Sequence, residues 1–171
     1  MKIFIIGISG SGKSTLAKDI SKILKIPHFD LDDIFWIKRY TDKRNKEECL
    51  LKLKEILKLN NEWIIEGVYH WGKIAANTAN VIIWLDYGIN TATIRVIKRW
   101  FKRKGEKKES IKDLYNLIKY IRAYRKIRPN KTRSTFEKHS EIVSENQQKL
   151  VKIKNKKNLK ELLKKLEKNE L

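Results

Sequence analysis

The chain has 171 residues, about the length of one domain, and 41% of them are hydrophobic, which excludes an intrinsically disordered protein. No apolar run reaches about 18 residues, so the sequence predicts neither a membrane span nor a signal peptide and favours a cytoplasmic protein. The net charge of +20 allows a nucleic-acid partner, but the 31 lysines are scattered along the whole chain, whereas seven of the nine arginines fall within residues 95–133.

Short apolar runs alternate with longer amphipathic segments, a pattern typical of a parallel sheet with crossover helices. We therefore predict a single α/β domain over residues 1–171. In chain order the predicted elements are strand 2–6, helix 13–24, strand 26–29, helix 47–59, strand 63–66, strand 81–85, helix 90–104, helix 111–128, helix 134–145, strand 150–153 and an amphipathic helix around 159–166.

A glycine-rich segment, GISGSGKS, lies between the first predicted strand and the first predicted helix, and it matches the pattern G-x-x-x-x-G-K-[ST]. Its glycines allow backbone N–H groups to converge on a phosphate at the N-terminus of the helix. Lys13 is expected to reach the β- and γ-phosphates of ATP, and the Ser14 hydroxyl to hold Mg²⁺. The predicted nucleotide-binding residues of this segment are Gly7, Ser9, Gly10, Ser11, Gly12, Lys13, Ser14 and Thr15.

Carboxylates follow three of the predicted strands, at the edge where an open parallel sheet presents its ligands. Asp30 and Asp32 alternate on a segment that we expect to be extended, so that both face the cleft and serve an acceptor hydroxyl or a Mg²⁺-bound water. Glu66 is expected to join Ser14 at the magnesium ion. The alternatives are that Asp32 or Asp33 caps the following helix, and that Asp86 caps the helix near Asn90 or pairs with an arginine.

Two further positions near these strand ends are predicted to contact the acceptor. Gly67 follows Glu66 and allows a close backbone approach to phosphate, and Trp36 is placed to line the pocket, as is Trp71. Arg95 and Arg99 share one helical stripe, and Arg122 and Arg125 lie on the next helix. We expect these arginines to form a basic clamp over the transferred phosphate, and the alternative is a solvated basic face.

The segments GISGSGKST, PHFDLDDIFW, WIIEGVYH, VIIWLD followed by RVIKR, and YIRAYRKIRP resemble, in this order, a P-loop subgroup related to adenylate and shikimate kinases. Its members are often called DNA-topology-modulation or adenylate kinase-like proteins. The resemblance implies a three-layer α/β/α P-loop fold with five parallel strands in the order 2-3-1-4-5. It also implies a helical lid over about 99–125, mobile around 102–108.

The resemblance assigns roles to residues of this chain. It implies that Asp30 and Asp32 face the acceptor, that Glu66 and Gly67 line the same pocket, and that the lid arginines close over the phosphates. This chain has Glu66 where relatives usually have Asp, and Gly67-Val68-Tyr69-His70 lacks the arginine of the adenylate kinase turn, which disfavours AMP as the acceptor.

The expected activity is that of an ATP- and Mg²⁺-dependent kinase acting on an unidentified small acceptor, with Lys13, Asp30, Asp32, Arg99, Arg122 and Arg125 as its catalytic residues. One alternative is a nucleic-acid-binding ATPase of the topology-modulation type, which would use the basic surface on DNA or RNA. Another is a nucleotide sensor with negligible turnover.

Overall fold

The computed structural model describes residues 1–38, 41–103, 110–126, 135–168 and 170. Strands and helices follow one another along this part of the chain, with one pair of consecutive strands and one run of three consecutive helices. They are β1 (Lys2–Gly7), α1 (Lys13–Leu24), β2 (His28–Asp30), α2 (Leu31–Phe35), β3 (Trp36–Lys38), β4 (Asp42–Lys43), α3 (Lys46–Leu59), β5 (Trp63–Glu66), α4 (Lys73–Thr78), β6 (Val81–Leu85), α5 (Ile89–Arg103), α6 (Ile111–Arg122), α7 (Thr135–Ser144), β7 (Leu150–Ile153) and α8 (Lys156–Glu167).

Five strands form one parallel sheet in the spatial order β2-β5-β1-β6-β7. When only the strands of this sheet are numbered, the order is 2-3-1-4-5, as the resemblance implies. β3 and β4 form a separate antiparallel hairpin, which the sequence pattern did not predict. The predicted α/β class, with helices on both faces of a parallel sheet, is therefore confirmed.

Both faces of the sheet are covered because its strands are apolar on both sides. Phe4 and Ile6 of β1 pack on one face with residues of α3, α4 and α7. Ile3 and Ile5 point to the opposite face, where α1 and α8 cover them. This double cover leaves the carboxyl ends of the strands as the place where polar side chains gather.

The segment after β2 differs from the prediction. It does not stay extended through Asp32, because the short helix α2 begins at Leu31. The Asp30 side chain caps this helix by accepting a hydrogen bond from the Asp32 N–H at 2.8 Å. The alternative that Asp32 or Asp33 is the cap is therefore wrong, and Asp30 combines a capping role with its place at the strand end.

The arginine-bearing helices α5 and α6 pack against each other. A buried cluster joins them to Ile8 of the glycine-rich segment through Val96 and Ile121. α6 ends at Arg122 and is followed by a turn, so the predicted helix 111–128 is too long. Residues 104–109 and 127–134, and with them most of the predicted mobile segment 102–108, lie outside the described residues. None of the described helices is both long and apolar enough to cross a membrane.

Candidate functional site

The glycine-rich segment forms a tight loop from β1 to α1. The Ser11 N–H donates to the Ile8 carbonyl at 3.0 Å. Gly10 has φ +81°, and a Cβ there would lie 2.6 Å from the Ala92 carbonyl oxygen, so only glycine fits. Gly12 caps α1 without a side-chain hydrogen bond, which leaves the first N–H groups of the helix available to an anion. This is the geometry that a phosphate needs.

Lys13 begins α1 and lies among the carboxylates of the strand ends. Burial lowers the pKa of its ammonium group, and the nearby negative charges of three carboxylates oppose this effect. The nearby positive charge of Arg99 lowers the Lys13 pKa further. The three carboxylates, in decreasing order of their effect, are Glu66, Asp32 and Asp30. The structure thus brings together the lysine and the carboxylates that the sequence predicted from separate motifs.

Asp30 and Glu66 are neighbours because β2 and β5 pair in parallel with these two residues in register. Glu66 is buried, and its Oε1 lies 3.2 Å from Nε2 of His28. Burial, together with the negative charge of Glu66, raises the pKa of Asp30 to about 6. An open groove of about 330 Å³ borders Asp30 between β2, α2 and α3 and gives a small molecule room beside it.

Asp32 is held by Tyr69, whose hydroxyl donates to Asp32 Oδ1 at 2.6 Å. The Tyr69 ring stacks on Trp71, with centroids 5.1 Å apart, and it also contacts Phe35 at 4.8 Å. Burial and the hydrogen bond to Asp32 raise the pKa of Tyr69, so its hydroxyl stays protonated and remains a donor. Aromatic packing therefore fixes the group that orients Asp32.

The predicted tryptophans differ in position. Trp36 is half-buried and lies edge-on to Phe35, with ring centroids 5.0 Å apart. Phe35 in turn contacts the Tyr69 ring. Trp71 is only 8% exposed and belongs to the core, so the expectation that it lines the pocket is not met. Gly67 has φ +135°, and a Cβ there would meet Leu31 Cβ at 2.7 Å. The glycine thus brings the loop after β5 against α2.

The four arginines of the predicted clamp have separate surroundings. Arg95 Nη1 donates to the Ser11 carbonyl at 2.8 Å, and its guanidinium lies 4.3 Å from the Tyr87 ring centroid. Arg99 lies close enough to Lys13 to lower its pKa, whereas Arg122 is exposed.

Arg125 is the fourth of these arginines, and its Nη2 lies 3.2 Å from Asp86 Oδ1. Lys152 pairs with the other Asp86 oxygen at 3.1 Å. Asp86 therefore pairs with an arginine, which is one of the two alternatives predicted for it.

The metal ligands predicted from the sequence are oxygen donors. Ser14 lies exposed in the first turn of α1, and Glu66 lies at the neighbouring strand end. The described residues contain no group of three or more His, Cys, Asp or Glu side chains that suits a metal ion. A hydroxyl and a carboxylate are nevertheless hard donors of the kind that Mg²⁺ takes, and Mg²⁺ commonly completes its shell with phosphate and water.

Three residues of this region were not predicted from the sequence. His28 contacts Glu66, and its position two residues before Asp30, on the same face of a strand, is a signal that was available. Tyr69 contacts Asp32, and His139 of α7 lies buried with Nδ1 2.5 Å from the Tyr124 hydroxyl. No local pattern marks either of these two contacts, because both join segments distant in the chain.

Comparisons with known proteins agree with this geometry at the level of the fold. No protein-family profile matches the chain. It is 34% identical over 104 residues to the uncharacterized protein YqaC of Bacillus subtilis, covering 60% of this chain and 58% of that protein. It is 38% identical over 64 residues to the bifunctional shikimate kinase/3-dehydroquinate synthase of Thermotoga maritima, covering 34% of this chain and 13% of that protein.

A solved structure resembles the whole chain. The shikimate kinase from Bacteroides thetaiotaomicron matches with a TM-score of 0.57 and 17% identity, over 98% of this chain and 96% of that one. At that identity the likeness concerns the fold. The chain therefore has the α/β P-loop fold of shikimate kinase, with a five-stranded parallel sheet flanked by helices.

Proposed function

We propose that the chain is an ATP- and Mg²⁺-dependent phosphotransferase of the P-loop kinase type, which moves the γ-phosphate of ATP to a small hydroxyl-bearing acceptor. The observation that carries this proposal is that Asp30 and Glu66, in register at neighbouring strand ends, and Asp32 lie close enough to Lys13 at the start of α1 for their charges to raise its pKa. A P-loop lysine serves the phosphate donor, and carboxylates beside it serve an acceptor hydroxyl. Donor and acceptor groups therefore meet at one corner of the sheet.

The residues of this corner act by positioning and by electrostatic stabilisation. Lys13 neutralises negative charge on the phosphates, and the free N–H groups at the start of α1 bind their oxygens. Asp30 and Asp32 orient the acceptor hydroxyl and accept its proton. The groove beside Asp30 holds the rest of the acceptor.

Ser14 and Glu66 would hold the magnesium ion together with phosphate oxygens. The hydrogen bond with His28 engages Oε1 of Glu66 and orients that carboxylate. When bound, the ion supplies charge neutralisation at the β- and γ-phosphates. Arg95 braces the loop through the Ser11 carbonyl, and we assign Arg99 and Arg122 to the moving phosphate.

We place the chain in the adenylate kinase-like subgroup that is often labelled DNA-topology-modulation proteins. The support for this assignment is the order of the five resembling segments along the chain. The loop after β5 carries Tyr69, which is bound to Asp32, and it lacks the arginine of adenylate kinases. This difference disfavours AMP as the acceptor.

An acceptor screen tests the proposal. Radiolabelled ATP and Mg²⁺ are incubated with the full chain and a panel of nucleosides, nucleotides, hydroxy acids, sugars and hydroxylated amines, and labelled products are separated and identified. We expect one class to be labelled, and Asp32→Asn to lose that product while it still binds ATP. Asp19→Asn is the matched control, because Asp19 is exposed on α1 and does not line the groove, so this variant should keep the product.

The same assay tests the alternative function. A nucleic-acid-binding ATPase would release free phosphate faster when DNA or RNA is added, with a steep loss of binding as salt rises. Nucleic-acid stimulation without any labelled acceptor would contradict the proposal. Neither the T. maritima protein nor the B. thetaiotaomicron protein is named for nucleic-acid binding.

A further inference from the structure

Arg44 is a half-buried arginine for which the proposed reaction has so far no use. Its Nη1 donates to three main-chain carbonyl oxygens at the end of α2, at 2.7 Å to Ile34, 3.2 Å to Trp36 and 3.3 Å to Asp33. The Arg44 backbone N–H donates to the Phe35 carbonyl at 2.9 Å. These are carbonyls that the end of a helix leaves without partners. The hydrogen bonds to them hold the guanidinium in place at the end of α2.

The carbonyls use only one of the guanidinium nitrogens. Among the described residues, neither Nε nor Nη2 of Arg44 has a hydrogen-bond partner, and Arg44 takes part in no ion pair. Nε and Nη2 lie on one edge of the planar group, and their N–H bonds form a fork that matches two oxygens of a carboxylate or a phosphate. Capping a helix does not require this edge. The unused edge therefore indicates an anionic ligand.

Arg44 also lines the open groove of about 330 Å³ that borders Asp30. Asp30 caps the start of α2 and Arg44 binds the carbonyls at its end, so the two residues lie at opposite ends of a five-residue helix. Such a helix is about 7–8 Å long, because each residue adds about 1.5 Å. A small molecule in the groove is therefore long enough to contact both residues at once.

The groove carries charges of both signs, which differ in exposure. Besides Asp30 and Arg44, three exposed acidic or lysine residues line it: Asp33, Lys52 and Glu55. Water and salt screen exposed charges, so Asp33 and Glu55 repel an anion only weakly, and Lys52 attracts it only weakly. Arg44 is half-buried, so its charge is screened less. An anion in the groove is therefore most stable beside Arg44.

We propose that Arg44 is a specificity-determining residue, and that the Nε and Nη2 edge of its guanidinium binds an anionic group of the acceptor. The inference rests on the proposed function, which places the acceptor hydroxyl at Asp30. It assigns the acceptor to the hydroxylated anions, with the hydroxyl and the anionic group separated by about the length of α2. The apolar side chains of Phe29, Ile34 and Ile56 also line the groove and suit the body of such a molecule.

Arginine NMR of the full wild-type chain provides the first test. The Nε–H signal of Arg44 is assigned from through-bond spectra and followed with three probes, both with and without the imido analogue of ATP and Mg²⁺. The probes are para-(hydroxymethyl)benzoate, the uncharged amide of the same shape, and inorganic phosphate. We expect the acid to shift the Arg44 signal and the amide to leave it unchanged.

The inorganic phosphate probe distinguishes the two kinds of anion. A shift with phosphate and not with the acid, while the ATP analogue occupies the glycine-rich loop, would support the anion contact and assign it to a phosphate group of the acceptor. No shift with either anion would overturn the inference. Equal shifts with the acid and the amide would overturn it as well, because the groove would then recognise shape alone.

The variant Arg44→Lys separates the anion contact from the helix cap. Lysine keeps the positive charge and a donor for the carbonyls, but it lacks the planar fork. We expect it to bind para-(hydroxymethyl)benzoate about tenfold more weakly than wild type, with the affinity for the amide unchanged. Because the charge is kept, the general attraction of this basic chain for an anion is the same in both proteins. Equal losses for acid and amide, or an unchanged affinity for the acid, would show that Arg44 only caps α2.

The outcomes also separate this inference from the proposed function. If the acceptor screen labels only uncharged sugars or hydroxylated amines and neither anion shifts the Arg44 signal, the phosphotransferase proposal stands and only the inference fails. If the acid shifts the Arg44 signal and no acceptor is ever labelled, the anion contact stands and the phosphotransferase proposal fails. If no acceptor is labelled and neither anion shifts the signal, both are wrong.

Discussion

The carboxyl ends of the strands and the arginine-bearing helices α5 and α6 are two regions in which the sequence predicted a shared site. At the strand ends the negative charges of Asp30, Asp32 and Glu66 all raise the pKa of Lys13. Along the helices each arginine has its own surroundings, since Arg95 contacts the loop and Arg125 pairs with Asp86. Arg122 is exposed on the last turn of α6.

The difference follows from how each region is held. The register of β2 and β5 keeps Asp30 beside Glu66. A shift of this pairing by one residue would turn the side chains of the shifted strand to the other face of the sheet, and burial on both faces opposes such a shift. An arginine on an exposed helix has a long, flexible side chain and takes whichever acceptor is near. Position at the end of a strand therefore predicts a common site better than clustering along the sequence of a helix does.

The largest expected effect tests the strand-end region itself. We expect Lys13→Ala to lower turnover by about two or more orders of magnitude, because the phosphates lose the cation that neutralises them. Steady-state kinetics measures the loss, and circular dichroism checks the fold. Lys18→Ala, an exposed lysine on the same helix, is the control and should behave as wild type. Turnover of the Lys13 variant near the wild-type level would contradict the assignment.

Much of this region was predictable because its determinants are local in sequence. The predicted strands 63–66, 81–85 and 150–153 have the bounds of β5, β6 and β7, and the helix 13–24 is α1. The helix after β2 was missed because five residues are too few for a helical period to show. The contacts of Tyr69 and His139 join segments 37 and 15 residues apart, so no local pattern contains them. Sequence thus predicts which carboxylates gather, and tertiary packing determines what orients them.

Asp30 provides a second test, in which activity and stability respond in opposite directions. We expect Asp30→Asn to lower turnover by roughly thirtyfold, because an amide cannot accept the acceptor proton. In wild type, turnover should fall as the pH drops through about 6, where Asp30 becomes protonated. The acid limb should be absent from the residual activity of the variant. A pH profile of kcat/KM that is flat in wild type would exclude Asp30 as the base.

Thermal unfolding gives the stability side of the same test. The pKa of Asp30 is raised from 3.8 to about 6 in the folded chain, so the folded state binds the proton more tightly than the unfolded state does. Its contribution to stability is therefore greatest below about pH 4 and is lost as the pH rises through 6. Asn keeps the cap, so Asp30→Asn should raise Tm at neutral pH and lose that gain at acidic pH. An unchanged Tm at neutral pH would contradict this explanation.

Tyr69→Phe tests whether the hydrogen bond from Tyr69 orients Asp32 for the reaction. The change keeps the ring stacked on Trp71 and removes only the 2.6 Å hydrogen bond to Asp32. We expect turnover to fall about tenfold, because the lost hydrogen bond orients the Asp32 carboxylate that faces the acceptor. The KM for ATP should stay unchanged, because this bond does not contact the phosphate donor. Tyr115→Phe, at an exposed tyrosine of α6, is the matched control. A rise in the KM for ATP would place Tyr69 with the phosphate donor instead.

The smallest effects belong to the arginine-bearing helices, where two neighbours should respond differently. Arg122 is exposed and has no ion pair with another described residue, so it is available to the phosphate, and Arg122→Ala should lower turnover on the order of fivefold with little change in ATP affinity. Arg125 is held by Asp86, and its guanidinium lies 4.9 Å from the Phe136 ring centroid. Arg125→Ala should therefore lower turnover only about twofold, because Arg125 itself is exposed and Lys152 still pairs with Asp86.

Asp86→Asn distinguishes an Arg125 that stays in its ion pair from one that must leave the pair to bind the transferred phosphate. This variant removes the charge that pairs Arg125 and keeps the shape of the side chain. If Arg125 only braces the turn after α6, turnover should stay at the wild-type level. If Arg125 must leave Asp86 to reach the phosphate, Asp86→Asn should raise turnover, and a second change, Arg125→Ala, should remove the gain. In that case the arginines would converge only with substrate bound, whereas the strand-end carboxylates are already together without it.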